Sequence, residues 1–261
     1  MEPMLYTTQL QAGLGLTTET KTLLELWSPG MSVSELNNVA LHSGRFPTIT
    51  ARRLRNIIAE CFAPRYLISS GEPARHLKLI VHSVNGTVLT QLMLVYTGRA
   101  NPILRDFISD IYWSRYVGGY TEISNDDARA FVERAIDDGK TSKRWSESTI
   151  RRVSAYLTGC CADYGLLDRG VRSKRRILPV RISGVAAAYL AYDLHFAGVG
   201  DNALLTHADW RLFGLDRQDV LDELKKLSLT GVLILQAAGE VVRISWKKTS
   251  MEALCDVLSQ G

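Results

Sequence analysis

The sequence predicts a mainly α-helical protein with winged-helix or helix-turn-helix-like elements and short β-hairpins. Three observations carry this. Apolar residues recur at helical spacing through the first two-thirds of the 261 residues. Capping patterns stand ahead of several of those stripes. Strand-like runs are few, short and confined to the last third.

Taken in order, Leu23, Leu24, Leu26 and Trp27 make the first stripe, ended by Pro29-Gly30. Ser32-x-x-Glu35 is a capping-box pattern opening a helix with Leu36, Val39 and Ala40 inward. A turn at Gly44-Arg45-Phe46-Pro47 leads to a helix from Thr48 or Thr50, with Leu54, Ile57, Ile58, Cys61 and Phe62 on its apolar face and Pro64 as its stop. Ser69-Ser70-Gly71-Glu72-Pro73 reads as a loop. Helices follow around 74–84, 87–97 and 102–117, and Ser124-x-x-Asp127 caps another with Phe131, Val132, Ala135 and Ile136 inward. The pattern breaks between Asp137 and Ser146. This predicts an N-terminal helical domain over 1–137, with a helix-turn-helix-like segment at 32–63, and a C-terminal winged-helix-like domain over 138–261.

Past that break, a helix near 147–162 buries Ile150, Val153 and Leu157. The run Ile177-Leu178-Pro179-Val180-Arg181-Ile182 reads as a strand, at a sheet edge because of its proline. Residues 185–196 read as helix, Asp216-x-x-Asp219 caps another, and 232–236 with 241–246 form a hairpin. Thr249-x-x-Glu252 caps the last helix.

Charge is distributed unevenly. The net charge is only +4, yet residues 140–183 hold eleven basic residues against three acidic ones. Residues 45–78 hold seven against two. The rest of the chain is therefore acidic, and the two basic segments point to a polyanion.

Catalytic signatures are absent. No phosphate-binding loop, dinucleotide fingerprint, zinc-protease motif or nucleophile elbow occurs, so no enzymatic activity and no cofactor are expected. Asp193, His195, Asp201, His207 and Asp209 are the most site-like cluster, but their spacing favours a structural role over a metal site. Cys61, Cys160, Cys161 and Cys255 lack zinc-ligand spacing and read as reduced core thiols. With no signal-like N-terminus and no apolar run long enough for a bilayer, a soluble cytoplasmic protein with no membrane partner is expected.

The candidate binding residues come from the basic segments. On the helix near 50–62, Arg52, Arg53, Arg55 and Asn56 lie off the apolar stripe or at its margin, as a recognition helix requires. A solvated amphipathic face explains this segment equally well. The second segment is richer. Lys143, Arg144, Ser148, Arg151 and Arg152 gather at the start of one helix, and Arg172, Lys174, Arg175 and Arg176 follow in a loop before a strand. Helix, turn, basic loop and edge strand in this order suit a helix for the major groove and a cationic wing for the backbone. Guanidinium groups clustered without neighbouring carboxylates favour a bound polyanion. The helix and hairpin of 216–246 suggest a second winged-helix shape. Its acidic helix, with Asp216, Asp219, Asp222 and Glu223, argues for a structural or protein-contact role.

Four stretches resemble the BrxA family: Ser43-Gly44-Arg45-Phe46-Pro47 with Thr50-Ala51-Arg52-Arg53-Leu54-Arg55-Asn56; Arg144-Trp145-Ser146-Glu147-Ser148-Thr149-Ile150-Arg151-Arg152; Leu190-Ala191-Tyr192-Asp193-Leu194-His195-Phe196; and Ile244-Ser245-Trp246-Lys247. The likeness runs over nearly the whole chain without a catalytic signature. It implies a double-stranded DNA-binding accessory protein of BREX bacteriophage defence, partnered by the system's methyltransferase, phosphatase-like protein and ATPase. Two alternatives stay open: an adaptor docking acidic surfaces of other defence components, and an RNA-binding protein like NusB.

Overall fold

Side-chain caps set most helix starts in the computed structural model, which describes residues 5–12, 15–170, 173–239 and 241–260, without the side chains of residues 11 and 12. Helix α1 spans Thr17–Leu26. Helix α2, Val33–His42, opens on the Ser32/Glu35 capping box. Helix α3, Ala51–Asn56, is capped by Thr50, whose hydroxyl accepts from the Arg53 N–H. It does not stop before Pro64. The chain runs through a π-helical turn, Ile57–Phe62, into α4, Ala63–Tyr66. Proline lacks an N–H and crowds the carbonyl four residues back, and the wider turn absorbs both defects.

Helices α5 (Glu72–Ile80) and α6 (Gly86–Ala100) follow. Gly71, between α4 and α5, has φ +82, and a Cβ there would lie 2.7 Å from the Trp27 ring, so only glycine fits. Helix α7 (Pro102–Phe107) continues through a second π turn (Ile108–Tyr112) into α8 (Trp113–Val117). Strand β1, Glu122–Ser124, leads into α9, Asn125–Asp137, through the Ser124/Asp127 capping box.

Helix α10, Glu147–Asp163, packs along α9 and buries Ile150, Val153, Leu157, Cys160 and Cys161. Strand β2 is Lys174–Arg176 and pairs antiparallel with β1, Glu122 opposite Arg176 and Ser124 opposite Lys174. The strand expected at 177–182 is not there. Only Ile177 pairs further, in an antiparallel bridge to Leu167, and the run around Pro179 carries no strand. Proline cannot donate to a ladder, so pairing ends before it, at Lys174–Arg176 and the Ile177 bridge.

The remaining elements are α11 (Gly184–Phe196), α12 (Asp201–Leu204), a 3₁₀ turn (Ala208–Phe213), α13 (Arg217–Leu229), the antiparallel hairpin β3 (Leu233–Ala238) and β4 (Val241–Trp246), and α14 (Met251–Leu258). Helix α13 starts at the expected Asp216/Asp219 capping box. Helix α14 is capped one residue later than expected, by the Ser250 hydroxyl accepting from the Ala253 N–H at 3.1 Å. The protein is thus mainly helical, with two small antiparallel sheets among the described residues.

The chain divides into two compact units: residues 1–75 with 93–180, and residues 76–92 with 181–261. The divisions fall within α5 and within α6. Residues 137 and 138 lie together in the first unit, because the α9–α10 pair is one of its main packing contacts. The core of the first unit contains Leu54, Ile58, Phe62, Phe107, Leu157 and Leu166. Near it the Tyr164 hydroxyl meets the Thr97 hydroxyl at 2.5 Å and the Gly15 carbonyl at 3.2 Å. In the second unit, Tyr189, Tyr192, Trp210, Leu224 and Leu254 are buried. The Tyr192 hydroxyl donates to the Val232 carbonyl at 2.7 Å and accepts from the Lys247 N–H at 2.9 Å, tying α11 to both sides of the hairpin.

Candidate nucleic-acid interface

Helix α10 positions the richest part of the surface. Its first turn is set by Ser146, whose hydroxyl accepts from the Thr149 N–H at 3.3 Å and lies 3.1 Å from Ser148 Oγ and 2.9 Å from Thr149 Oγ1. The buried face of the helix fixes its rotation, leaving Ser148, Arg151 and Arg152 exposed. Lys143 and Arg144 are exposed on the preceding loop, on either side of which Lys140 and Trp145 are anchored. The Tyr6 N–H donates to the Lys140 carbonyl at 2.7 Å, and Trp145 is buried.

This arrangement forms a cleft of about 680 Å³ lined by Lys143, Arg144 and Arg152, by the hydroxyl residues Ser142, Ser146 and Thr149, and by Tyr6, Thr7 and Thr8. The structure therefore brings three of the sequence-predicted residues to one concavity. Arg151 sits on the same helix but does not line the cleft.

Strand β2 positions the second group. Alternation along the strand turns Lys174 and Arg176 outward and leaves Arg175 half-buried. Arg175 donates to the Asp168 carbonyl at 3.1 Å, while the Asp168 carboxylate accepts from the Arg176 N–H at 2.8 Å. Arg175 therefore braces the turn rather than facing solvent with its neighbours. Arg172 lies outside the described residues. The base of the strand is tied to the helices: the Asn125 N–H donates to the Ser173 carbonyl at 2.8 Å, and the Thr158 hydroxyl donates to the Asn125 side chain at 2.7 Å.

On α3, Arg52, Arg53 and Arg55 are exposed and Asn56 is half-buried. None of them lines the 680 Å³ cleft.

The premise that the clustered guanidinium groups lack neighbouring carboxylates needs correction. Arg144 pairs with Asp137 at 3.3 Å, Arg45 with Glu25, and Glu122 stands opposite Arg176 in the β-ladder. These carboxylates belong to other parts of the chain, so a count along one segment misses them. Lys143, Arg151, Arg152 and Lys174 keep no ion pair among the described residues.

The Asp/His cluster does structural work in the second unit. Asp201 accepts from the Ile244 N–H at 2.8 Å and Asn202 from the Val242 N–H at 3.1 Å, so α12 covers the outer edge of β4. Asp209 is buried against His207 at 3.5 Å. His195 stacks on Trp246 at 4.2 Å, and partial burial lowers its pKa. No group of three or more metal-ligating side chains occurs among the described residues. All four cysteines are buried and free, and burial pushes the thiols of Cys160 and Cys255 up to about 12, which keeps them protonated and unreactive. No helix among the described residues is long and apolar enough to cross a membrane.

Sequence reasoning missed Tyr6, Thr7, Thr8 and Ser142. The only local hint was the run of hydroxyls at 7–8, and what places it beside Lys143 is contact with a loop over a hundred residues away.

Fold and surface together define a mainly helical protein in which Arg151, Arg152 and Lys174, on one helix and one short strand, keep no ion pair among the described residues. More particularly, the chain belongs to the BrxA family, whose family model matches residues 4–193. A crystal structure of an uncharacterized protein from Magnetospirillum magneticum is similar in fold, with a TM-score of 0.58 at 14% identity, covering 78% of this chain and 97% of that one. No curated protein matches the chain.

Proposed function

We propose that this protein is a non-enzymatic, double-stranded DNA-binding accessory component of BREX-type phage defence. The observation that carries the reading is the element order β1–α9–α10–β2 with unpaired cations on the exposed face of α10 and on β2. That order, with the Leu167–Ile177 bridge flanking the loop before β2, supports a winged-helix module. In such a module α10 is the helix that meets the duplex, and Lys174 and Arg176 on β2 reach the adjacent backbone. BrxA family membership suggests a BREX-associated role, and from it we take the system's methyltransferase, phosphatase-like protein and ATPase as partners in the cytoplasm. Most of the contacts are cation to phosphate, so affinity is salt-dependent and sequence preference modest. An anisotropy titration of a labelled duplex over a salt series tests this. A log–log slope of several units is expected; absent or salt-insensitive binding refutes it. Competition by duplex RNA that matches duplex DNA moves the assignment to RNA.

A further inference from the structure

We infer that the cleft between residues 6–8 and residues 142–152 is a seat for a phosphate group. Its lining offers cations and hydroxyl donors and includes no carboxylate: Lys143, Arg144 and Arg152 with Thr7, Thr8, Ser142, Ser146 and Thr149. An acceptor-rich, multiply charged oxyanion matches that donor set. The adjoining cleft, about 340 Å³, supplies an internal contrast. It shares Arg144 and Trp145 but is otherwise lined by Glu133, Asp137 and Glu147 together with Ile136 and Ile150. Asp137 neutralises Arg144 from that side, so the charge left over in the larger cleft is that of Lys143 and Arg152, which pair with no carboxylate among the described residues.

The hydroxyls divide into two groups. The Ser146 hydroxyl lies within hydrogen-bond distance of those of Ser148 and Thr149, at 3.1 and 2.9 Å, and holds the helix start. Thr7 accepts only a long bond from the Gln9 N–H at 3.4 Å, and Thr8 and Ser142 have no side-chain partner among the described residues. The wall that carries Thr7 and Thr8 is anchored through Tyr6. Tyr6 donates its hydroxyl proton to Asp106 at 2.6 Å, and the Lys140 ammonium lies over its ring at 5.6 Å. The N–H of Tyr6 donates to the Lys140 carbonyl at 2.7 Å, which ties residues 6–8 to the 140–144 loop.

The phosphate could belong to a DNA backbone or to a free phosphate or phosphate ester. This inference deepens the DNA reading, and only its duplex arm rests on it. The test titrates inorganic phosphate against equal ionic strength of chloride, followed by thermal shift and ³¹P line broadening. The wild type, Lys143→Ala/Arg152→Ala and Thr8→Val are compared, and each variant's fold is checked by circular dichroism. Phosphate stabilises the wild type. The double variant loses about tenfold or more in phosphate affinity, as expected for charged hydrogen bonds, and Thr8→Val loses about threefold. In the duplex arm, the double variant lowers the log–log salt slope by about one or two units, one for each phosphate left without its cation, and a duplex competes with phosphate. A wild type indifferent to phosphate, or variants that bind it equally well, overturns the seat even where duplex binding persists. Phosphate binding that depends on Lys143 and Arg152 in a protein that does not bind duplex supports the seat for a free phosphate ester and refutes the DNA reading instead.

Discussion

Two regions of the molecule each place a strand after two helices and differ in charge. In the first unit, helices α9 and α10 are followed by the short basic strand β2. In the second, α12 and α13 are followed by the six-residue strands β3 and β4. The exposed face of α10 carries Arg151 and Arg152 without carboxylate partners. That of α13 is neutralised locally, Lys225 pairing with Asp222 at 2.8 Å and Lys226 with Glu223 at 2.6 Å. The strands that follow the two helix pairs differ too: β2 is Lys-Arg-Arg, whereas β3 is uncharged and its partner β4 carries one cation, Arg243. A strand after two helices therefore does not imply a shared ligand. Lys225 and Lys226 on α13 are each paired with a carboxylate three residues before them, whereas Arg151 and Arg152 on α10 keep no such partner among the described residues.

The largest expected effect breaks this contrast directly. Reversing Arg151, Arg152, Lys174 and Arg176 to Glu removes four cations from the first region, at about 1 kcal/mol each. Duplex affinity measured by anisotropy falls on the order of a thousandfold while the far-ultraviolet circular dichroism is unchanged. Arg175 is left alone because it braces the Asp168 turn. Retained affinity moves the interface to Arg52, Arg53 and Arg55 on α3.

Next come the cores. Leu157→Ala in α10 and Leu224→Ala in α13 each delete a fully buried side chain, and each costs about 3 kcal/mol in chemical denaturation. A much smaller cost at either position means that its helix is less firmly packed than its burial indicates. Tyr192→Phe follows at about 1.5 kcal/mol, since it strands the Val232 carbonyl and the Lys247 N–H. A neutral result there shows that water replaces the hydroxyl. Ser146→Ala removes the α10 cap at about 1 kcal/mol and weakens duplex binding slightly, by loosening the turn that carries Arg151 and Arg152. The smallest effect sharpens the comparison from the other side. Lys225→Glu/Lys226→Glu on α13 leaves duplex affinity within about twofold, and a large loss there shows that the second region also meets DNA.

Much of the fold was legible in the sequence, because capping is local chemistry. Ser32/Glu35, Ser124/Asp127 and Asp216/Asp219 open helices as their spacing requires, and the apolar stripe on α10 sets which face carries its arginines. Misreadings arose where a neighbour overrides a local rule. Pro64 is carried through a π turn instead of ending its helix. The short strand settled on Lys174–Arg176 because β1 offers its ladder there, and nothing in a basic tripeptide announces that partner. The 680 Å³ cleft was half legible: Lys143, Arg144 and Arg152 were evident from charge, but its other wall was not.

By itself, the sequence determined the helical class, the helix starts, the buried thiols and the segment in which positive charge is concentrated. The helix starts follow from residues within about four positions of one another, and the charge segment from a count along the chain. Only the tertiary structure decided which cations stay unpaired, which strand completes the small sheet, and which residues close the cleft. Those outcomes depend on groups distant in the chain, Glu122 with Arg176 and Tyr6 with Asp106, and packing alone brings them within reach of one another.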